Sequence, residues 1–238
     1  MHRRSLILLP LVFVAACATR MGADGKTQTV VDAKYLAKGD IDRVLDAARA
    51  EVVGGLFRFA EKLYRRNPRE FKKGATPTLE AAMVRLRSSK LLDFPELEGL
   101  REGAAAMFAF REDYAGDRVL ALMSGLLAMV YSAFEDTDDF YILDDLNEQK
   151  LYNCARNLEI AMWKLASAKY PGGELMLLSN ELDPANRNLS FEREFGRITG
   201  LLDFLSKVVA DKHGRIVSRV AQNMASAVFL PVGALGIR

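Results

Sequence analysis

Residues 119–134 run for sixteen positions without a charge. They lie between Asp117-Arg118 on one side and Glu135-Asp136 on the other. Such a run has to be buried on nearly every side. It is too short for a bilayer core, which asks for about 20 residues. Gly125, Ser124 and Ser132 suit close approach of a second helix. The run therefore predicts the central helix of a bundle, with Asp117 as its N-cap.

The rest of the chain has the period of helices that would pack around such a centre. Asp40 is placed to cap a helix with apolar Ile41, Val44, Leu45, Ala48, Val52 and Val53. Gly54-Gly55 predicts a break, after which Leu56, Phe59, Ala60, Leu63 and Tyr64 continue to Asn67-Pro68. Thr76-Pro77 predicts a helix start with proline at its first position, running to about Leu92. Pro95 predicts another, to about Tyr114. Asp145-Leu146-Asn147-Glu148 has capping-box spacing. The helix after it puts Leu151, Cys154, Ala155, Leu158, Met162, Leu165 and Ala166 on one face. Residues 174–189 read as irregular, with 174–178 as a short strand. Ser190 opens a stripe from Phe191 to Val209, and residues 215–230 predict a last helix. The expectation is an all-α chain: a single bundle of seven or eight helices over residues 39–238.

Composition agrees with an ordinary folded chain. It is 50% hydrophobic and 27% charged, with 33 basic against 31 acidic residues. That near balance excludes nucleic acid as the main partner. Arg58, Lys62, Arg65, Arg66 and Arg69 form a local basic stripe. Its two readings are a solvated helix face and a contact with anionic lipid headgroups.

The N-terminus reads as an address rather than as fold. Met1-His2-Arg3-Arg4 is positive, residues 6–14 are apolar, and Val14-Ala15-Ala16 places small residues before Cys17. This order resembles the lipobox of bacterial lipoproteins. The resemblance implies a signal peptide over residues 1–16, cleavage before Cys17, and a diacylglyceryl group on its thiol, with acyl chains of the palmitate kind. Position 18 is Ala rather than Asp. By analogy with enterobacterial lipoproteins this implies the outer membrane, facing the periplasm. Residues 17–38 read as the lipidated cysteine and a small, polar tether.

The catalytic inventory is thin once residues 1–16 are removed. His213 is the one remaining histidine, placed at a helix end in Asp211-Lys212-His213-Gly214, where it suits the helix dipole. Cys154 is the one remaining thiol beyond Cys17 and falls on an apolar face. Two such residues cannot make a zinc site. The acidic run 135–145 fails as a calcium loop. Counting from Asp136, Tyr141 stands where glycine is needed and Asn147 where glutamate is needed. A solvated acidic loop and a weak divalent-cation site both remain open for it. Gly196 and Gly200, four apart, read as a close helix contact. No catalytic residue, metal or cofactor is expected.

Three segments carry a further resemblance. They are Phe59-Ala60-Glu61-Lys62-Leu63-Tyr64-Arg65-Arg66-Asn67-Pro68, Leu126-Leu127-Ala128-Met129-Val130-Tyr131-Ser132-Ala133-Phe134 and Lys150-Leu151-Tyr152-Asn153-Cys154-Ala155-Arg156-Asn157-Leu158. In order and spacing they resemble the T-component lipoproteins of TRAP-type transporters. That resemblance implies tetratricopeptide-like helix pairs around an apolar passage and an envelope transport partner. The sequence shows no clean 34-residue repeat of its own.

The expected function is that of a membrane-anchored, non-catalytic binding or adaptor lipoprotein. It would take an apolar small molecule or an envelope transport protein as partner. Met123, Met129, Tyr131, Phe134, Met162 and Trp163 are the candidate ligand-binding residues, because methionine and aromatic side chains adapt to varied apolar shapes. The competing reading is that all six fill the core. A structural scaffold, and after it an envelope hydrolase, are the alternative functions.

Overall fold

The computed structural model describes residues 18–21, 27–30, 40–74, 76–89, 91–138, 146–213 and 232. Among them are seven α-helices: α1 (Asp40–Arg66), α2 (Pro68–Lys73), α3 (Leu79–Ser88), α4 (Glu102–Phe108), α5 (Arg118–Ala133), α6 (Glu148–Ser167) and α7 (Ser190–His213). The chain is an all-α bundle, as its periodicity predicts. Two four-residue strands, β1 (Ala18–Met21) and β2 (Thr27–Val30), pair antiparallel within the segment read as a tether. Their β-branched residues, Thr19, Thr27, Thr29 and Val30, favour extended pairing. Cys17, residues 139–145 and the expected helix at 215–230 lie outside the described residues.

The charge-free run forms α5, and every residue of that helix except Tyr131 is buried. Asp117 caps it as expected, its Oδ1 accepting from the Leu120 amide at 2.9 Å. Helix α4 lies against α5 with almost no gap. A Cβ at Gly125 would stand 2.4 Å from the Ala106 nitrogen and 2.4 Å from the Glu102 carbonyl oxygen. Only glycine admits that approach. Helices α1, α2 and α6 also pack on α5, and α6 pairs with α7. Phe59 of α1 joins α7 through edge-on contacts to Phe191 (5.3 Å) and Phe195 (4.5 Å). Such pairs add about 0.5–1.5 kcal/mol beyond area burial.

Several boundaries differ from the sequence reading. Gly54-Gly55 does not break α1, which runs on for 27 residues. Its use is packing: a Cβ on Gly55 would meet the Ile198 side chain at 2.9 Å. Thr78 rather than Thr76 caps α3, accepting from the Ala81 amide, and the helix stops at Ser88. Pro95 opens only a 3-10 turn, Pro95–Leu97, ended by Glu98 with φ of 53°. Helix α4 is separate and short. Asn147 caps α6, accepting from the amides of Gln149 and Lys150. Asp145, the expected cap, lies outside the described residues. Instead of a strand at 174–178 there are two isolated bridges, Lys169 with Leu175 and Glu181 with Asn188.

Candidate functional site

The six candidate residues do not form one pocket. Met123, Met129 and Phe134 are buried in the core at the heart of α5 and its end. The chemistry that suggested a ligand site also suits a tightly filled core, and here it fills the core. Met129 Sδ even accepts from the Asn157 amide at 3.3 Å, which satisfies a polar group inside the bundle. Tyr131 is half-buried and faces α1, with the Arg49 guanidinium 5.6 Å from its ring centre. Burial raises its phenol pKa above the ordinary value.

Met162 and Trp163 are the two that reach a concavity. A groove of about 450 Å³ runs between α6 and α7, lined by Glu159, Met162, Trp163, Ala166, Glu192, Phe195, Gly196 and Thr199. Trp163 is the sole tryptophan and is half-buried. The groove exists because Gly196 does not make the close contact expected of it. A Cβ there, or at Gly200, would have no atom within 4 Å. Met162 and Trp163 of α6 thus flank a strip where the opposing helix lacks a side chain. Glu159 and Glu192 stand at its edges. Burial holds the Glu159 carboxyl above its ordinary pKa, against the pull of Arg156. Thr199, which also lines the groove, donates its hydroxyl to the Phe195 carbonyl (2.9 Å).

A second concavity, of about 690 Å³, lies beside α2. Its lining includes Arg66, Asn67, Arg69, Glu70, Lys73, Tyr170, Glu174 and Leu178. A buried polar cluster stands behind it. Arg118, 1% exposed, donates to the carbonyls of Ala109 (2.6 Å), Arg111 (2.8 Å) and Tyr114 (2.8 Å), and through Nε to the Tyr170 hydroxyl (3.0 Å). Its amide donates to Glu70 Oε2 at 2.9 Å, and Lys73 Nζ donates to Glu70 Oε1 at 2.7 Å. The Tyr64 hydroxyl donates to Asp117 Oδ2 at 2.8 Å. Burial pushes the Asp117 carboxyl up to about 6, although the Leu120 amide and the Tyr64 hydroxyl both oppose the shift. Burial raises the Tyr64 phenol as well, and the Asp117 charge adds to that. These groups pin the loop before α5 to α1 and α2.

No sequence spacing pointed to this cluster, since the bonds that tie it to α1, to α2 and to Tyr170 join residues 48 to 53 positions apart. The one legible part is Asp117 as a cap.

The remaining candidates resolve as follows. Cys154 is fully buried, and burial pushes its thiol well above the ordinary range. His213 closes α7; its side chain lies outside the description. In the acidic run, Glu135 is taken by Lys150 (2.6 Å) and Asp138 by Arg49 (2.7 Å). Asp136 is exposed, and residues 139–145 lie outside the described residues. The basic stripe is largely spent on ion pairs. Arg58 meets Glu51 and Glu194, Arg65 meets Glu61, and Arg66 meets Glu181. Lys62 donates to the Ser190 carbonyl. No described helix is long and apolar enough to cross a membrane.

No family model matches the chain, and no curated protein and no solved structure matches it either.

Proposed function

We propose that the chain is a lipid-anchored periplasmic protein that binds an apolar ligand without transforming it, as an adaptor in envelope transport. The observation that carries this reading is the α6–α7 groove, lined by Met162 and Trp163 from α6 and by Phe195, Gly196 and Thr199 from α7, with open space where a Gly196 side chain would stand. Its volume falls within the range of small-molecule pockets, about 300–1,000 Å³. A polymethylene chain fits the chemistry: it needs no hydrogen-bond partner, and each buried CH₂ contributes about 0.8 kcal/mol. The sequence of residues 1–17 supports the anchor. Acyl chains on Cys17 would hold the bundle at a membrane, where lipids and fatty acids are the abundant apolar solutes.

Native mass spectrometry of the protein purified from membranes tests the reading. A bound fatty acid or lipid, lost when Gly196 is replaced by leucine, is the expected result. The absence of bound apolar mass, together with no uptake of added fatty acid, would favour a scaffold instead. The scaffold reading has its own support in the solid packing of Met123, Met129 and Phe134.

A further inference from the structure

We propose that the cleft beside α2 holds the phosphate headgroup of an anionic phospholipid, with its leucine rim against the bilayer surface. This site is independent of the α6–α7 groove. Three donors converge on it. Arg69 is exposed and, alone among the basic stripe, makes no ion pair or hydrogen bond among the described residues. Lys73 gives one N–H to Glu70 and keeps two, with 34% of its side chain exposed. Tyr170 accepts from Arg118 Nε, so its own hydroxyl proton is left to donate. The arrangement suits an oxyanion, because two charged donors four residues apart on α2 and one neutral donor from Tyr170 line the same cleft.

Two of the nearby carboxylates are already spent on partners. Glu70 has both oxygens occupied, one by Lys73 and one by the Arg118 amide. Glu181 is held by Arg66 at 2.9 Å. Glu174 is exposed at the mouth and has no partner among the described residues.

The apolar rim decides between a lipid and a free phosphate ester. Leu178 lines the cleft and is 46% exposed, Leu182 is 68% exposed and Leu189 is 40% exposed. Leu178 is fixed there by Asn67, which accepts from its amide (2.7 Å) and donates to its carbonyl (2.8 Å). Leu182 follows Glu181, the partner of Arg66, and Leu189 follows Asn188, which bridges to Glu181. A soluble phosphate compound has no use for an exposed leucine such as Leu178 in the lining of its site. A bilayer surface covers them while its headgroups reach the cations.

The test is co-sedimentation of the full chain with vesicles of phosphatidylcholine and of phosphatidylcholine mixed with phosphatidylglycerol. Comparison with Arg69→Ala and Leu178→Ser cancels whatever residues 1–17 contribute. Both side chains are exposed, and an unchanged thermal midpoint verifies each fold. The expected result is preference for the phosphatidylglycerol vesicles, reduced about fivefold by Arg69→Ala. Arg69→Ala leaves phosphatidylcholine binding unchanged, and Leu178→Ser weakens binding to the anionic vesicles. Equal affinity for both vesicles, or no effect of Arg69→Ala, overturns the proposal. So does binding of glycerol phosphate in solution that needs Arg69, combined with vesicle binding indifferent to Leu178→Ser. That outcome would assign the cleft to a soluble ester.

Discussion

Asp117→Asn separates the two tasks of one buried side chain. Asparagine keeps the oxygen that accepts from the Leu120 amide, so the α5 cap survives. It removes a negative charge that is 2% exposed and that the fold disfavours. The groups facing that charge are Tyr64 of α1, Glu70 of α2, Arg85 of α3 and Tyr114 of the loop before α5. A rise from 3.8 to about 6 corresponds to about 3 kcal/mol between the two protonation states. The folded pKa lies above the unfolded one, so the native state binds the proton more tightly. Stability contributed by this group is therefore greatest at low pH and is lost as pH rises through about 6. The assay is urea unfolding of wild type and Asp117→Asn at about pH 4 and about pH 8. The stability gap between them should move by about 2–3 kcal/mol in favour of the variant at the higher pH. A gap that stays constant would refute the claim that Asp117 is buried at a cost.

Two glycines should respond oppositely to alanine. Gly125→Ala drives a methyl into the α4 backbone and should cost at least about 1–3 kcal/mol in chemical denaturation. Gly196→Ala meets open space and should stabilise by up to about 1 kcal/mol, since alanine is the better helix former. In α6, Asn147→Ala should cost about 1 kcal/mol through the lost cap, and Leu158→Ala, at a fully buried position, about 2–5 kcal/mol; equal, negligible losses would contradict the packing described. Cys17→Ser should abolish acyl mass on the N-terminus by intact mass spectrometry, while the circular dichroism of the bundle stays helical. Retained acylation would exclude the lipobox reading.

Helices α5, α6 and α7 were legible because the period of their buried residues is local, as is the cap of α5. Sixteen uncharged residues between two charged flanks need no knowledge of the neighbours, and the Asp117 cap acts three residues away. The glycines show where locality ends. Gly54-Gly55 and Gly196/Gly200 look alike in sequence. Gly55 serves a contact with Ile198, whereas Gly196 opens a groove. Only the partner helix decides which. The ligand candidates suffered the same ambiguity. Met123 and Met162 are both methionines on apolar helix faces. One faces the bundle centre, the other borders the gap that a missing side chain on α7 leaves. The cluster of Tyr64, Glu70, Asp117 and Arg118 was invisible because three helices and a loop must meet before it exists.

An apolar ligand held between α6 and α7 would lie beside Trp163, so the fluorescence of that residue reports it. Palmitate titrated into the purified chain should give a saturable change in the emission of this single tryptophan. Gly196→Leu, which fills the groove from a position with free space, should abolish the change while leaving the fold intact. Emission that does not respond to palmitate, or that responds identically in Gly196→Leu, would contradict the claim.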